Sequence, residues 1–79
     1  MNRFQIFANC FQLSILGTVV LIEVKICSKA VDLEKEALIA LSQIERQNYE
    51  SEYRDEGFKS FTRYGIAFYK KDAVVRQAV

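Results

Sequence analysis

The chain has 79 residues, 51% of them apolar and 27% charged, with no proline, and its 11 lysines and arginines against 10 acids leave a net charge of +1. That length leaves room for one domain with a modest core, while the composition excludes both a disordered tail and a membrane-embedded protein. The near-neutral balance excludes a global field able to hold a polyanion, so any nucleic-acid contact has to be local.

Residues 1–3 make a short basic start, and the apolar stretch behind it, with Ser28, Lys29 and Ala30, sketches an export signal. Gln5, Asn9, Gln12 and Ser14 interrupt that stretch, and Glu23 and Lys25 fall before the supposed cleavage point. Such a pattern suits a half-buried sheet better than hydrocarbon, so the expectation is a cytoplasmic chain with no membrane partner. Residues 4–7 and 11–16 read as one or two strands, a hairpin whose register the pattern leaves open. Cys10 and Cys27 lie too far apart for a CxxC motif and there is no histidine to complete a zinc site. Both are expected as reduced, buried thiols, a disulfide fitting only an exported chain.

Residues 18–27 (TVVLIEVKIC) follow a turn-marking Gly17 and are dense in β-branched groups, the strongest strand signal in the chain. A period of two puts Val20, Ile22, Val24 and Ile26 on one face and Leu21, Glu23, Lys25 and Cys27 on the other, and both faces look mostly covered. From Asp32, a suitable N-cap, the period becomes helical through Leu33, Ala37, Ala40, Leu41 and Ile44, with Glu34 and Glu36 at the positive end of the helix dipole. The helix is expected to run to about residue 46. A short polar helix or turn over 49–56 stops at Gly57. Residues 58–69 alternate as a long strand, bent at Gly65, and a turn over 70–72 leads to a short antiparallel strand over 73–76. A helical crossover between the two main strands makes them parallel. The fold class is therefore α/β: a small mixed β-sheet with a crossover helix.

Glu23 and Lys25 form the one constellation that suggests chemistry. Opposite charges two residues apart on one face of an apolar strand are costly to bury unless a metal, a partner charge or water compensates. A carboxylate so placed can hold Mg²⁺ against a phosphate, and the neighbouring lysine can position the attacking water and offset charge on phosphorus. Alone, the same pair also fits the wetter face of a half-exposed strand.

The runs VVLIEVKICSKA, EALIALSQIERQNY and EYRDEGFKSFTRYGIAFYKKDAVV resemble, in order and spacing over residues 18–76, the C-terminal part of the PD-(D/E)XK nuclease-like domain appended to a family of AAA-type ATPases. The resemblance implies a partial restriction-endonuclease-like core. It assigns Glu23 and Lys25 to the (D/E)xK pair, Glu23 as the metal ligand, and Gln43 to a helix glutamine near the site; Tyr49 is expected to pack the helix end. The acid that precedes the pair in the family falls on Gln5, in the segment NRFQIF. An amide there removes a full negative charge from the site, so metal affinity and acidification of water should fall.

Three readings follow. The favoured one is a truncated, degenerate nuclease-like domain spanning residues 1–79, non-catalytic, that binds or self-associates, with nucleic acid, an AAA-type ATPase module or a second copy as partner. The second is a Mg²⁺-dependent nuclease completed by a dimer or partner chain, magnesium being its cofactor only if active. The third is an unrelated small structural domain. Arg54, Lys59, Arg63, Lys70 and Lys71 are candidates for a local basic face, with Glu50, Glu52, Asp55 and Glu56 near enough in sequence to offset it.

Overall fold

A computed structural model describes residues 3–7 and 9–78. Five strands, β1 (Arg3–Phe7), β2 (Cys10–Ile15), β3 (Thr18–Ile26), β4 (Ser60–Tyr69) and β5 (Asp72–Gln77), lie in that order across one sheet, with helices α1 (Leu33–Gln47) and α2 (Glu50–Asp55) between β3 and β4. β3 and β4 are parallel and every other neighbouring pair is antiparallel, so the expected mixed sheet with a helical crossover is what forms.

Each boundary has a local cause. Leu16 and Gly17 both take positive φ, at 51° and 83°, the geometry a two-residue hairpin needs to match strand twist. That turn joins β2 to β3 with Ile15 opposite Thr18. The Asp32 carboxylate accepts hydrogen bonds from the backbone N–H groups of Glu34 and Lys35, satisfying donors that the first turn of α1 would otherwise orphan. α1 closes at Asn48, which adopts the left-handed conformation, and Gly57, at φ +99°, terminates the α2 segment.

All the helical cover is on one side. Cys10, Val19, Leu21, Ile44 and Tyr53 form a buried cluster between sheet and helices, with Leu41, Tyr49, Phe58 and Phe61 packed against it. Gln5 and Gln12 sit on this face too, where the Gln5 amide donates to the Tyr53 hydroxyl at 2.7 Å and that hydroxyl donates to the Gln12 carbonyl oxygen at 2.9 Å. The expectation that both sheet faces are covered is overturned. The face with Val20, Ile22, Val24 and Ile26 has no helix over it, and Ile26 is 82% exposed. An apolar β-branched strand fits a solvent-facing and a covered face equally well, so its composition could not separate the two.

Gly65 does not bend its strand: β4 runs unbroken through it. A Cβ there would lie 2.2 Å from the Ala37 carbonyl oxygen and 2.8 Å from the Leu41 nitrogen, so the glycine exists to let α1 lie directly on the sheet. The two cysteines are free thiols, Cys10 buried and Cys27 only partly so.

Candidate functional site

Glu23 is near the C-terminal end of a parallel strand, where open α/β sheets tend to place their ligand sites. It lies on the helix-covered face, only 6% exposed, and its Oε1 is buried without a hydrogen-bond partner among the described residues. Burial holds its carboxyl above the usual range. The carboxylate opens into a cleft of about 380 Å³ lined by Asn9, Glu23, Gln43, Arg46, Gln47 and Tyr49. α1 supplies Gln43, Arg46 and Gln47, Tyr49 follows the helix cap, and Asn9 comes from the β1–β2 turn.

Glu23 and Gln43, both expected at the site, thus share one cleft. Lys25 does not join them. It shares the face of Glu23, but its ammonium reaches the first turn of α1 and lies 3.2 Å from Glu36 Oε1. Its charge is answered there, in a partly exposed pair of small energetic weight. Tyr49 lines the cleft and also packs on the core; burial first, then the nearby Cys10 and Glu23, pushes its hydroxyl above the ordinary range.

The residue opposite Glu23 is not Gln5. Across the antiparallel β2–β3 pair the partner of Glu23 is Cys10, whereas Gln5 lies on the outer strand, one row away, opposite Gln12. The Val24 N–H bonds the Asn9 carbonyl at 3.0 Å, which puts Cys10 and Glu23 at the next, non-hydrogen-bonded level, where facing side chains approach most closely. Burial, reinforced by the Glu23 charge, pushes the Cys10 thiol up to about 12, so it stays neutral at physiological pH.

The sequence could have shown this. A two-residue Leu16–Gly17 turn sets Ile15 against Thr18, and counting outward from that pair brings Cys10 to Glu23. Arg46 and Gln47 were missed for a different reason: on a helix, polar residues facing a cleft and polar residues facing solvent have the same spacing.

The donor set does not suit a hard cation. Mg²⁺ prefers a nearly regular shell of oxygens with carboxylates among them, and this cleft offers one carboxylate, neutral amides and the Tyr49 phenol beside the Arg46 cation, while Cys10, buried behind it as the strand partner of Glu23, is a protonated soft sulfur. No cluster of three metal-ligating side chains exists among the described residues. Asp72, the other acid that might have approached, sits opposite Tyr69 at the β4–β5 turn, two strands away.

A larger hollow, about 580 Å³, is lined by α1, β4 and α2 residues including Glu50, Arg54 and Arg63. Its half-buried acid, Glu50, is answered. Arg63 donates through two nitrogens to the Glu50 carboxylate and Arg54 adds a third bond at 2.8 Å. Chiefly the Arg63 hydrogen bond, then Arg54, holds the Glu50 carboxyl below its usual range. These pairs also thin the candidate basic face, whose offset by Glu50 the sequence suggests. Arg54 and Arg63 share the one Glu50 carboxylate at one end of β4, while Lys70 and Lys71 lie at the turn beyond its other end, about 23 Å along an extended strand from Arg63.

One pH-dependent outcome follows from the orphaned carboxylate. A folded-state pKa raised above the unfolded value contributes stability that is present below the unfolded pKa and lost as pH rises through the folded one. Glu23 therefore weakens the fold at neutral pH. Glu23→Gln should gain about 1 kcal/mol at pH 7 in chelator-containing buffer. The gain should vanish near pH 3.5, below the ordinary glutamate range. Urea melts of both proteins at the two pH values check this.

Among the described residues no helix is long and apolar enough to cross a membrane. The sequence model of the family described as the PD-(D/E)XK nuclease superfamily matches residues 9–78. No curated protein and no solved structure matches the chain.

Proposed function

The chain belongs to the PD-(D/E)XK nuclease superfamily, and from that premise we propose that it keeps the nuclease fold without the cleavage chemistry, acting as a binding or association domain. One observation carries the reading: the side chain facing Glu23 at closest strand approach is a neutral thiol where a two-acid site needs a second carboxylate. A divalent ion at Glu23 would meet one formal negative charge. Lys25, held by Glu36, is in addition turned away from the position in which it could orient water beside Glu23. The association with an AAA-type ATPase remains part of this proposal, resting on the resemblance alone, and a nucleic-acid partner would bind through exposed lysines or Arg46 of the cleft, because Arg54 and Arg63 are engaged by Glu50.

The enzyme reading has one observation in its favour. Glu23 Oε1 is buried and has no hydrogen-bond partner among the described residues, as a ligand awaiting a cation would be. Titration of Mg²⁺ and Mn²⁺ into the chain and into Glu23→Ala, with labelled DNA incubated alongside, separates the two. The non-cleaving reading expects neither saturable binding nor cut DNA from either protein. Binding lost with Glu23, together with metal-dependent cutting, would establish the enzyme reading instead.

A further inference from the structure

The sheet face without helices is unusual in more than being bare. Following the strand registers across all five strands, every described side chain directed to that face is uncharged, and the charged strand residues, Arg3, Glu23, Lys25, Arg63, Asp72 and Arg76, all fall on the helical side. Exposed apolar groups occur on every strand: Phe4 and Ile6 on β1, Ile15 on β2, Ile26 on β3, Phe68 on β4 and Val75 on β5, between 37% and 82% exposed. Phe4 stacks on Phe11 of β2 with ring centroids 6.3 Å apart, so the patch is continuous at that flank.

We propose that this face is the interface of a homodimer in which two copies of the chain pack sheet against sheet. Area is the first argument. The six exposed side chains together present roughly 600 Å² of apolar surface, already at the upper end for a monomer's largest patch, about 300–600 Å². The half-buried neighbours between them bring the patch toward the roughly 800 Å² per partner of a stable interface.

Width is the second argument. Four inter-strand spacings separate β1 from β5, about 19 Å. A single helix, about 10 Å across, would leave one or both flanks wet, whereas a second five-stranded sheet covers the whole span. Sheets with the ordinary twist stack about 10 Å apart with strands near 30°. The absence of charge is the third. A twofold axis sets each residue against the same patch of its partner, so any charge near the axis would meet its like; this face has none to repel.

The geometry also limits what the dimer can do. The Glu23 cleft opens on the opposite face of the sheet, so a copy docked here brings no second carboxylate to it. Dimerisation therefore neither completes nor depends on a cleavage site, and the proposal stands whichever way the cleft is read.

Sedimentation velocity across a concentration series tests it on three proteins: the full chain, the double variant Ile26→Lys/Val75→Lys, and Leu38→Lys as a control at an exposed position of α1, on the other side of the sheet. Both targeted side chains are exposed in the monomer, so far-UV circular dichroism should be unchanged. Should it change, Phe4→Ser at the other flank repeats the test. The expected result is a dimer for the full chain and the control, and a dissociation constant raised at least 100-fold by the double variant. A full chain that sediments as a monomer throughout overturns the proposal, and so does a dimer that the folded face variants leave intact.

Discussion

Replacing Gly65 by alanine should destabilise the domain by about 3 kcal/mol or more, at the top of the range for overpacked sites. The added methyl would sit 2.2 Å from the Ala37 carbonyl oxygen and 2.8 Å from the Leu41 nitrogen. Both are backbone atoms of α1, so no side chain can swing aside, and the helix must lift from β4 or the strand must shift. For a domain this size, with about 4–12 kcal/mol in total, that is a large fraction. The melting temperature should fall by at least about 12 °C, and Gly65→Val should leave the chain largely unfolded at room temperature. Gly65 is the parallel-strand partner of Glu23. Lifting α1 there also draws Gln43, Arg46 and Gln47 away from the carboxylate. A thermal melt followed by circular dichroism decides it, and an unchanged midpoint would mean that α1 does not rest on Gly65.

Cys10→Asp should convert the cleft into one that holds a divalent cation. Without metal, the new carboxylate faces Glu23 at the closest level of the β2–β3 pair, where two like charges in a buried setting disfavour each other's ionisation. The metal-free variant should therefore be less stable than the parent by about 2 kcal/mol or more at neutral pH. Added Mg²⁺ or Mn²⁺ should reverse this. At a hundredfold excess over the dissociation constant a cation contributes about 2.7 kcal/mol, which corresponds to a rise of roughly 10–20 °C in melting temperature. The parent chain should show no comparable rise. Differential scanning calorimetry with and without metal reads both. A variant that gains nothing from either ion would mean that the deficiency lies elsewhere in the cleft, with Arg46, the cation in its lining, as the next place to look.

The sequence made the main axis of the fold readable because two periodicities there are unambiguous. A β-branched run after Gly17 and a 3.6-residue repeat after an N-capping Asp32 can each form only one element, and the crossover between them fixes the parallel pair. The candidate site was half readable for the same reason. Glu23 has a face by strand alternation and Gln43 lies on the crossover helix, so their meeting depends on elements already determined.

What failed to show depends on contacts between segments. Lys25 has a choice of carboxylates, and which it takes depends on where the first turn of α1 lands. The resemblance points to Gln5 by matching a segment, whereas counting from the Leu16–Gly17 turn shows that Cys10 is the residue facing Glu23. The open sheet face was invisible because Val, Ile and Phe in alternation describe a strand without saying what lies over it. Gly65 looked like a bend, since nothing along one strand shows a helix crossing above it.

The most direct measurement is calorimetric titration of Mg²⁺ and Mn²⁺ into the unaltered chain with a labelled-DNA cleavage assay on the same sample. The facing of a neutral Cys10 thiol to Glu23 leads us to expect no saturable heat and intact DNA. Saturable binding near a one-to-one ratio, abolished by Glu23→Ala and accompanied by cut DNA, would contradict the reading of this domain as a nuclease fold without its chemistry.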